Sequence, residues 1–414
     1  MKKKLLVIGY VWPEPKSSAA GSRMLQLLDA FISYGYQITF ASPCAKTENA
    51  FDLDTMRVDQ ESIELNHPSF DVFLQDLNPE VVLFDRFMME EQFGWRVAEQ
   101  CPNAVRILDT EDLHFLRKGR HQAYKDGKPF DKSYLFNDLA KREIASIYRC
   151  DLSLIISQAE MELLKNDFKI DESLLLYLPF MLEEISENEF SNLPNFEERD
   201  HFVTIGNFLH EPNYNAVLYL KEVIWPLIRS ELPNAELHIY GAYSSEKVNQ
   251  LHNEKQGFLI KGFAEDVNEI MQNAKVCLAP IRFGAGLKGK LIDAMRNRTP
   301  AVTTTIGAEG IEDMMKVSGA IVDNPNDFAS QAIQLYQDKS VWFEKSNRIL
   351  KIVNQFFIKT EYQQVFISRL KSISSNLELK RMGNFTGQIL MHHSLKSTKY
   401  LSKWIEEKNK VSKG

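Results

Sequence analysis

Short apolar runs alternate with helix-period segments along most of this 414-residue chain, and the alternation occurs in two series. Parallel strands need long crossovers and must be covered on both faces, so such alternation specifies parallel sheets clothed in helices. In the first series the pattern predicts strands at 5–10, 37–41, 81–84, 105–109, 152–156 and 174–178, with helices such as 21–34 and 136–148 between them. The stretch 183–200 turns polar and acidic around Asn192-Leu193-Pro194-Asn195 and reads as a connector. The second series predicts strands at 202–205, 236–240, 257–262, 276–281, 301–305 and 319–322. The expected organisation is a first lobe over 1–185, a linker over 186–200, a second lobe over 201–360 and a tail over 361–414. The chain is too long for one ordinary core. Two doubly wound α/β lobes of similar build would face each other across a cleft, with ligands at the carboxyl ends of their strands. Two unrelated domains are the alternative.

A net charge of −7 argues against a general nucleic-acid binder. Cys44, Cys101, Cys150 and Cys277 are scattered, without a CxxC or a histidine pair at ligand spacing, as expected of thiols in a reducing compartment. The N-terminus MKKKLLVIGYVWPEP has lysines before an apolar run, as a secretory signal does. The run is short, however, stops at Trp12-Pro13-Glu14-Pro15 and reads as the first buried strand. No segment is long and apolar enough to span a bilayer, so a cytoplasmic protein is expected. After Ser375, Lys380, Arg381, Lys396, Lys399, Lys403, Lys408, Lys410 and Lys413 outnumber Glu378, Glu406 and Glu407. Ile389, Leu390, Met391, Leu395, Tyr400, Leu401, Trp404 and Ile405 are interleaved with them. Such a tail either lies on an anionic membrane surface, making the protein peripheral on the inner face, or packs on the protein itself.

Residues 280–311, PIRFGAGLKGKLIDAMRNRTPAVTTTIGAEGI, set a glycine-rich turn with two lysines before a helix, and a β-branched strand follows. Gly284, Gly286 and Gly289 let backbone N–H groups approach a ligand, the helix N-terminus adds positive partial charge, and Lys288 and Lys290 add full charges. A diphosphate suits such an anion site. Asp293, one turn past Lys290, is placed to accept hydrogen bonds from ribose hydroxyls, and phosphate plus ribose makes a nucleotide. The alternative is an ordinary strand, loop and amphipathic helix with surface lysines.

The tandem alternation, FVTIGNFLHEPNYNAVLYL at 202–220, and FGAGLKGKLIDAM followed by TPAVTTTIGAEGI together resemble the group 1, family 4-like nucleotide-sugar glycosyltransferases of the GT-B fold. The resemblance implies a nucleotide diphosphate sugar as co-substrate with no further cofactor, bound mainly by the second lobe. It also implies a glycan or lipid-linked glycan acceptor bound mainly by the first. It puts Gly286, Lys288 and Lys290 in the diphosphate loop, Asp293 at the ribose, and backbone near Phe263 and Ala264 around the base. Gly307 and Glu309 fall in a second glycine turn facing the donor, and Ala20-Gly21 opens the first helix towards the phosphates, with Ser17 or Ser18 as its cap. The family's two acids separated by seven residues fall on Ala285 and Asp293, so the position that usually meets the transferred sugar carries no acid. The arginine and lysine frequent near the start of the second lobe are replaced by the region of Asn207, Pro212 and Asn213. Phosphate neutralisation then falls on Lys288, Lys290 and Arg282. His210, at a strand-to-helix turn on the donor side, is either a phosphate or sugar contact or a surface loop residue.

Negative charge builds on a departing phosphate as the anomeric bond breaks, and positioned cations and helix dipoles stabilise it without a metal. Asp52-Leu53-Asp54 has the letters of a metal-binding Asp-x-Asp but lacks the preceding hydrophobic strand, and no metal site is expected. In the first lobe Asp109, Asp112 and His114 are candidates to orient the sugar or take a proton, and Arg86, Glu90 and Arg117 to bind acceptor hydroxyls. The alternative is a structural network in which Asp85 and Asp109 pair with Arg86 or Arg117. Members of the family retain the anomeric configuration, commonly without an obvious protein base, so retention is implied and no nucleophile is assigned. The expected function is sugar transfer to a glycan or lipid-linked glycan. A nucleotide-sugar epimerase and a non-catalytic nucleotide-sugar-binding scaffold are the competing readings. Gly9-Tyr10-Val11-Trp12-Pro13 after the first strand lacks the GxGxxG turn of a dinucleotide-binding dehydrogenase.

Overall fold

The computed structural model describes residues 3–412, apart from the side chains of 393–395 and 411–412. Lys2, Lys413 and the Leu395 side chain, which enter the expectations above, lie outside the described residues. The first sheet has β1 (Lys3–Ile8), β2 (Tyr36–Ser42), β3 (Asp59–Ser62), β4 (Val81–Asp85), β5 (Val105–Asp109), β6 (Leu152–Ile155) and β7 (Leu175–Tyr177), in the order β3-β2-β1-β4-β5-β6-β7. The second has β8 (Asp200–Ile205), β9 (Leu237–Tyr240), β10 (Phe258–Gly262), β11 (Ala274–Ala279), β12 (Ala301–Thr303) and β13 (Gly319–Ile321), in the order β10-β9-β8-β11-β12-β13. Every pairing within them is parallel. Each sheet therefore reverses its winding once, between β1 and β4 and between β8 and β11, and such switch points open a crevice. Two Rossmann-like lobes of the GT-B kind result.

Both faces of each sheet are buried, as the apolar runs require. Leu6 and Ile8 enter one core while Leu5 and Val7 enter the other. Cys277 and Ala279 divide from Val276 and Leu278 in the same way. β3 was not anticipated, because its sequence Asp-Gln-Glu-Ser lies at a polar sheet edge and carries no apolar signal. Ser18 caps the first helix, Ala19–Ser33, its Oγ accepting from Gly21 N at 3.1 Å. Within the connector, Ser186 and Glu189 form a capping box for the short helix Glu187–Ser191.

After the second sheet the chain returns to the first lobe. The helix Lys359–Ser375 places Phe366, Ile367, Leu370 and Ile373 in the first lobe's core. The tail helix Phe385–Ser412 packs on the helices Phe87–Gln100 and Asp138–Arg149. Arg96 reaches Ser402 Oγ at 3.3 Å and pairs with Glu406, and Lys399 pairs with Glu99. The tail thus covers the protein's own surface, while Phe385, Tyr400, Leu401 and Trp404 on its outer side are each more than half exposed. Among the described residues no helix is long and apolar enough to cross a membrane.

One buried ion pair ties the first lobe together. Arg23 donates to Asp109 Oδ1 from Nε at 3.2 Å and Nη2 at 3.0 Å, and its Nη1 donates to Leu178 O at 2.6 Å. Neither side chain has any exposure. Arg23→Ala strands a buried carboxylate and is expected to lower stability by about 3–5 kcal/mol. Urea unfolding followed by circular dichroism checks this, and Arg23→Ala with Asp109→Leu should recover part of the loss.

Candidate functional site

The carboxyl ends of the two sheets face one another across a cavity of about 1320 Å³. Single-ligand pockets usually measure about 300–1,000 Å³, so there is room for two substrates side by side. From the second lobe, β11 runs into the glycine loop and then the helix Gly289–Arg296. No side chain caps that helix. Its first residues, Gly289 and Lys290, line the cavity, which leaves orphan N–H groups of a helix N-terminus available to an anion. Glycine is required in this loop by the opposite lobe. Gly286 has φ +65°, and a Cβ there would lie 2.8 Å from Asp112 Cβ, while one on Gly289 would lie 2.6 Å from Ala19 Cβ.

The two lysines are oriented by neutral oxygens. Lys288 Nζ donates to Gly286 O at 2.6 Å and Ala285 O at 3.2 Å, and Lys290 Nζ donates to Asn213 Oδ1 at 2.9 Å. Among the described residues neither forms an ion pair with a carboxylate. Burial pushes both ammonium groups down, Lys290 to about 8. Asp293 lines the cavity one turn further on, and burial raises its carboxyl to about 7 against the opposing pull of Arg296 and Lys290.

Of the residues singled out from the sequence, Asn207, His210, Ala264, Gly286, Lys288, Lys290 and Asp293 of the second lobe line the cavity, facing Gly21, Arg86, Asp112, His114 and Arg117 of the first. Several of their polar groups are already engaged. Gly21 N donates to the Ser18 cap, Gly286 N donates to Glu160 Oε1 at 2.9 Å, and Asn207 Oδ1 accepts from Leu209 N at 2.9 Å. Expected site residues Asp109, Glu90, Phe263, Arg282, Gly307 and Glu309 lie off the cavity wall. Asp109 is sealed against Arg23, and Glu90 accepts from Arg149 Nε at 2.8 and 3.0 Å in the core beneath the tail helix. Arg282 donates to Asn215 Oδ1 at 2.8 Å and stacks on Tyr219 and Tyr124. Gly307 is packed so closely that a Cβ would stand 2.0 Å from Thr303 Oγ1. Glu309 is held by Arg120. The chain turns at Gly262, φ +80°, so that Ala264 rather than Phe263 reaches the wall. Asp52 accepts from Asp54 N in a surface turn, and Asp54 accepts from Gln60.

The helix His114–Lys125 joins the lobes. Lacking a side-chain cap of its own, it has its first N–H groups taken by two buried glutamates. Glu143 accepts from His114 N at 3.2 Å and Phe115 N at 3.0 Å, and Glu160 Oε1 accepts from Leu113 N at 2.9 Å. The same Glu160 oxygen takes Gly286 N, so one carboxyl oxygen holds an amide of each lobe. Further along, Arg120 donates to Gly284 O at 2.8 Å, and His121 stacks on Phe283 with centroids 4.4 Å apart. At the cleft mouth the Tyr243 hydroxyl donates to Glu14 at 2.7–2.8 Å. The spacing of Arg117, Arg120, His121 and Tyr124 is a helical stripe legible in the sequence. Glu160, Asn213 and the Glu14–Tyr243 contact carry no local signal.

Charges in the first-lobe wall are set by these neighbours. Burial drives His114 down to about 3, leaving a neutral ring 3.5 Å from Asp112. Burial alone would raise Asp112, but Arg117, His114 and His210 outweigh it and hold the carboxyl well below the usual carboxylate range. His210 is open to the cavity, yet the enclosing walls and then Arg117 push its ring down. Burial raises Glu160 to about 8, with Asp112 adding to the effect. A carboxyl raised on folding keeps a proton that the unfolded chain gives up, so its contribution weakens as pH rises from about 4.5 to the folded value. Glu160→Gln keeps an oxygen acceptor without titrating. The fall in Tm between about pH 5 and 8 should be smaller in that variant, as differential scanning fluorimetry across pH would show.

Comparison with known proteins agrees with this geometry. Residues 199–338 match the profile of the family described as glycosyl transferases group 1. No curated protein matches the chain in sequence. Among solved structures, TarM superposes with a TM-score of 0.69 at 10% identity, covering 89% of this chain and 99% of TarM. A mutant of S. aureus TarM in complex with fondaparinux, alpha-GlcNAc-glycerol and UDP has a TM-score of 0.57 at 16% identity, over 72% of this chain and 57% of its own length. Anabaena HepE in complex with UDP and glucose gives 0.64 at 12% identity, over 90% of this chain and 100% of that one. At such identities the likeness is one of fold. Residues 199–338 are a group 1 glycosyltransferase domain, and the chain as a whole is built on the GT-B fold.

Proposed function

We propose that this protein transfers a hexosyl group from a nucleotide diphosphate sugar to a glycan or lipid-linked glycan, with retention of configuration and without a metal. The observation that carries the reading is the uncapped N-terminus of the helix Gly289–Arg296, flanked by two ammonium groups with no carboxylate partner and opening on the interlobe cavity. The likeness to TarM and HepE, whose structures hold UDP, supports it. In the reaction the bond from the anomeric carbon to the diphosphate breaks, a bond to the acceptor oxygen forms, and the acceptor's proton leaves with the diphosphate. Charge growing on the departing oxygens meets the amides of Gly289 and Lys290 and the Lys288 and Lys290 side chains, which are fixed before the donor arrives. Asp293 sits beside Lys290 where a ribose hydroxyl can donate to it. The first-lobe wall, with Arg86, Asp112, His114 and Arg117, takes the acceptor.

The tail bears on where the enzyme works. Tyr400, Leu401 and Trp404 are exposed beside Lys403 and Lys408, an arrangement suited to a peripheral contact with an anionic inner leaflet.

Lys290→Met should weaken nucleotide diphosphate binding about tenfold and kcat/KM about 100-fold. Wild-type affinity, measured by calorimetry, should fall as pH rises past about 8, where Lys290 loses its proton, and the variant should show no such fall. Unchanged affinity in the variant refutes the site. Product formed only when an acceptor is supplied separates the transferase from an epimerase, and tight donor binding without turnover over a broad acceptor panel points to a scaffold. Leu401→Glu with Trp404→Glu, on the tail's outer face, should abolish co-sedimentation with phosphatidylglycerol vesicles and leave nucleotide binding intact. Equal sedimentation of both proteins removes the membrane role.

A further inference from the structure

The switch point of the first sheet, between the carboxyl ends of β1 and β4, opens on the same cavity as the glycine loop. Tyr10 N donates to Asp85 Oδ2 at 3.0 Å, joining the two strand ends at the crevice floor. Two residues around it hold a backbone conformation that L side chains seldom adopt. Arg86, directly after β4, has φ +71°, and Glu111, two residues past β5, has φ +60°. Strain of this kind is of order 1–3 kcal/mol per residue and persists where the surroundings enforce it, commonly at ligand sites. Both residues line the cavity.

Their side chains are also short of partners. Glu111 is only 8% exposed, burial and then Asp109 push its carboxyl well above the usual range, and among the described residues nothing donates a hydrogen bond to it. The Arg86 side chain likewise donates none to the described residues, its ionic contact to Asp85 being a long 3.8 Å. Both side chains thus present unpaired hydrogen-bonding groups to the cavity, where a ligand can meet them. Beside them stands Tyr10, 40% exposed, with the Arg86 guanidinium over its ring at 5.1 Å.

We propose that this crevice binds the acceptor as a neutral sugar, whose hydroxyls donate to Glu111 and accept from Arg86 while Tyr10 supports an apolar face of the ring. The assignment rests on the transferase reading above. A carboxyl group beside a guanidinium matches a vicinal diol, which both donates and accepts. A cationic acceptor would be repelled by Arg86, and a charged acceptor of either sign would have to give up its hydration in the crevice. Arg86 and Glu111 are binding residues in this account, and neither needs to move a proton.

Saturation-transfer NMR on the full-length protein tests this, with methyl hexopyranosides and glucose 6-phosphate as acceptor probes and UDP, GDP and ADP as donor probes. Methyl hexopyranoside signals are expected with the wild type. They should fall about tenfold in Glu111→Ala, the loss of one hydrogen bond, and recover in part in Glu111→Gln. Tyr10→Ala, at a partly exposed position that tolerates truncation, should weaken them independently, while nucleotide signals persist in every variant. Equal hexopyranoside signals in wild type and variants, none in the wild type, or a preference for glucose 6-phosphate would overturn the proposal. Loss of all nucleotide signals from the wild type would instead strike at the donor reading, and hexopyranoside spectra recorded without nucleotide would still report on the crevice.

Discussion

A single carboxyl oxygen, Glu160 Oε1, accepts the N–H of Leu113 from the first lobe and of Gly286 from the second, and the seating of the glycine loop against the first lobe depends on it. Each of those amides would otherwise be buried without an acceptor, a loss of about 1–3 kcal/mol apiece. The two bonds are therefore coupled: parting the lobes orphans one amide and leaves the carboxyl half-satisfied. Around this point the interlobe helix adds Arg120, reaching Gly284 O and Glu309, and His121, stacked on Phe283. Together these contacts bring two crevices, one from each sheet's switch point, onto a single space.

The glycine loop is also packed on the first lobe. Ala285 is 6% exposed and belongs to the first lobe's hydrophobic core. It also lines the cavity, where it presents a methyl group and no acid. The acid closest to the loop comes instead from the other lobe, as Glu160, and serves the backbone rather than the cavity.

The strands, the two series and the place of the glycine loop were legible because each has a local signature: period-two apolar runs with both faces buried, and glycine and lysine ahead of a helix. What the loop does with its amides was not legible. Gly286 N looks free in sequence, and its acceptor lies 126 positions away. The same distance effect moved Asp109 and Glu90 out of the site. A carboxylate at a strand end or helix start reads as chemistry until a partner 86 or 59 positions off, Arg23 or Arg149, is seen to enclose it. The crevice residues show the converse. Arg86 and Glu111 sit in ordinary polar stretches, and only their left-handed backbone and lack of partners, both products of the folded neighbourhood, set them apart.

The cleft keeps its cations available by dividing the charges between lobes. Acids near the glycine loop, Glu309 and Asp112, are each paired with an arginine of the interlobe helix, Arg120 and Arg117. Lys288 and Lys290 are left to carbonyl and amide oxygens, which orient an ammonium group without neutralising it. Were Glu309 free of Arg120, its carboxylate would pair with Lys288 and compete directly with an incoming diphosphate. The arginines thus serve the anion site by keeping its neighbouring acids occupied. Because they ride on the helix that Glu160 and Glu143 anchor, the electrostatics of the second lobe's loop are fixed by hydrogen bonds made in the first.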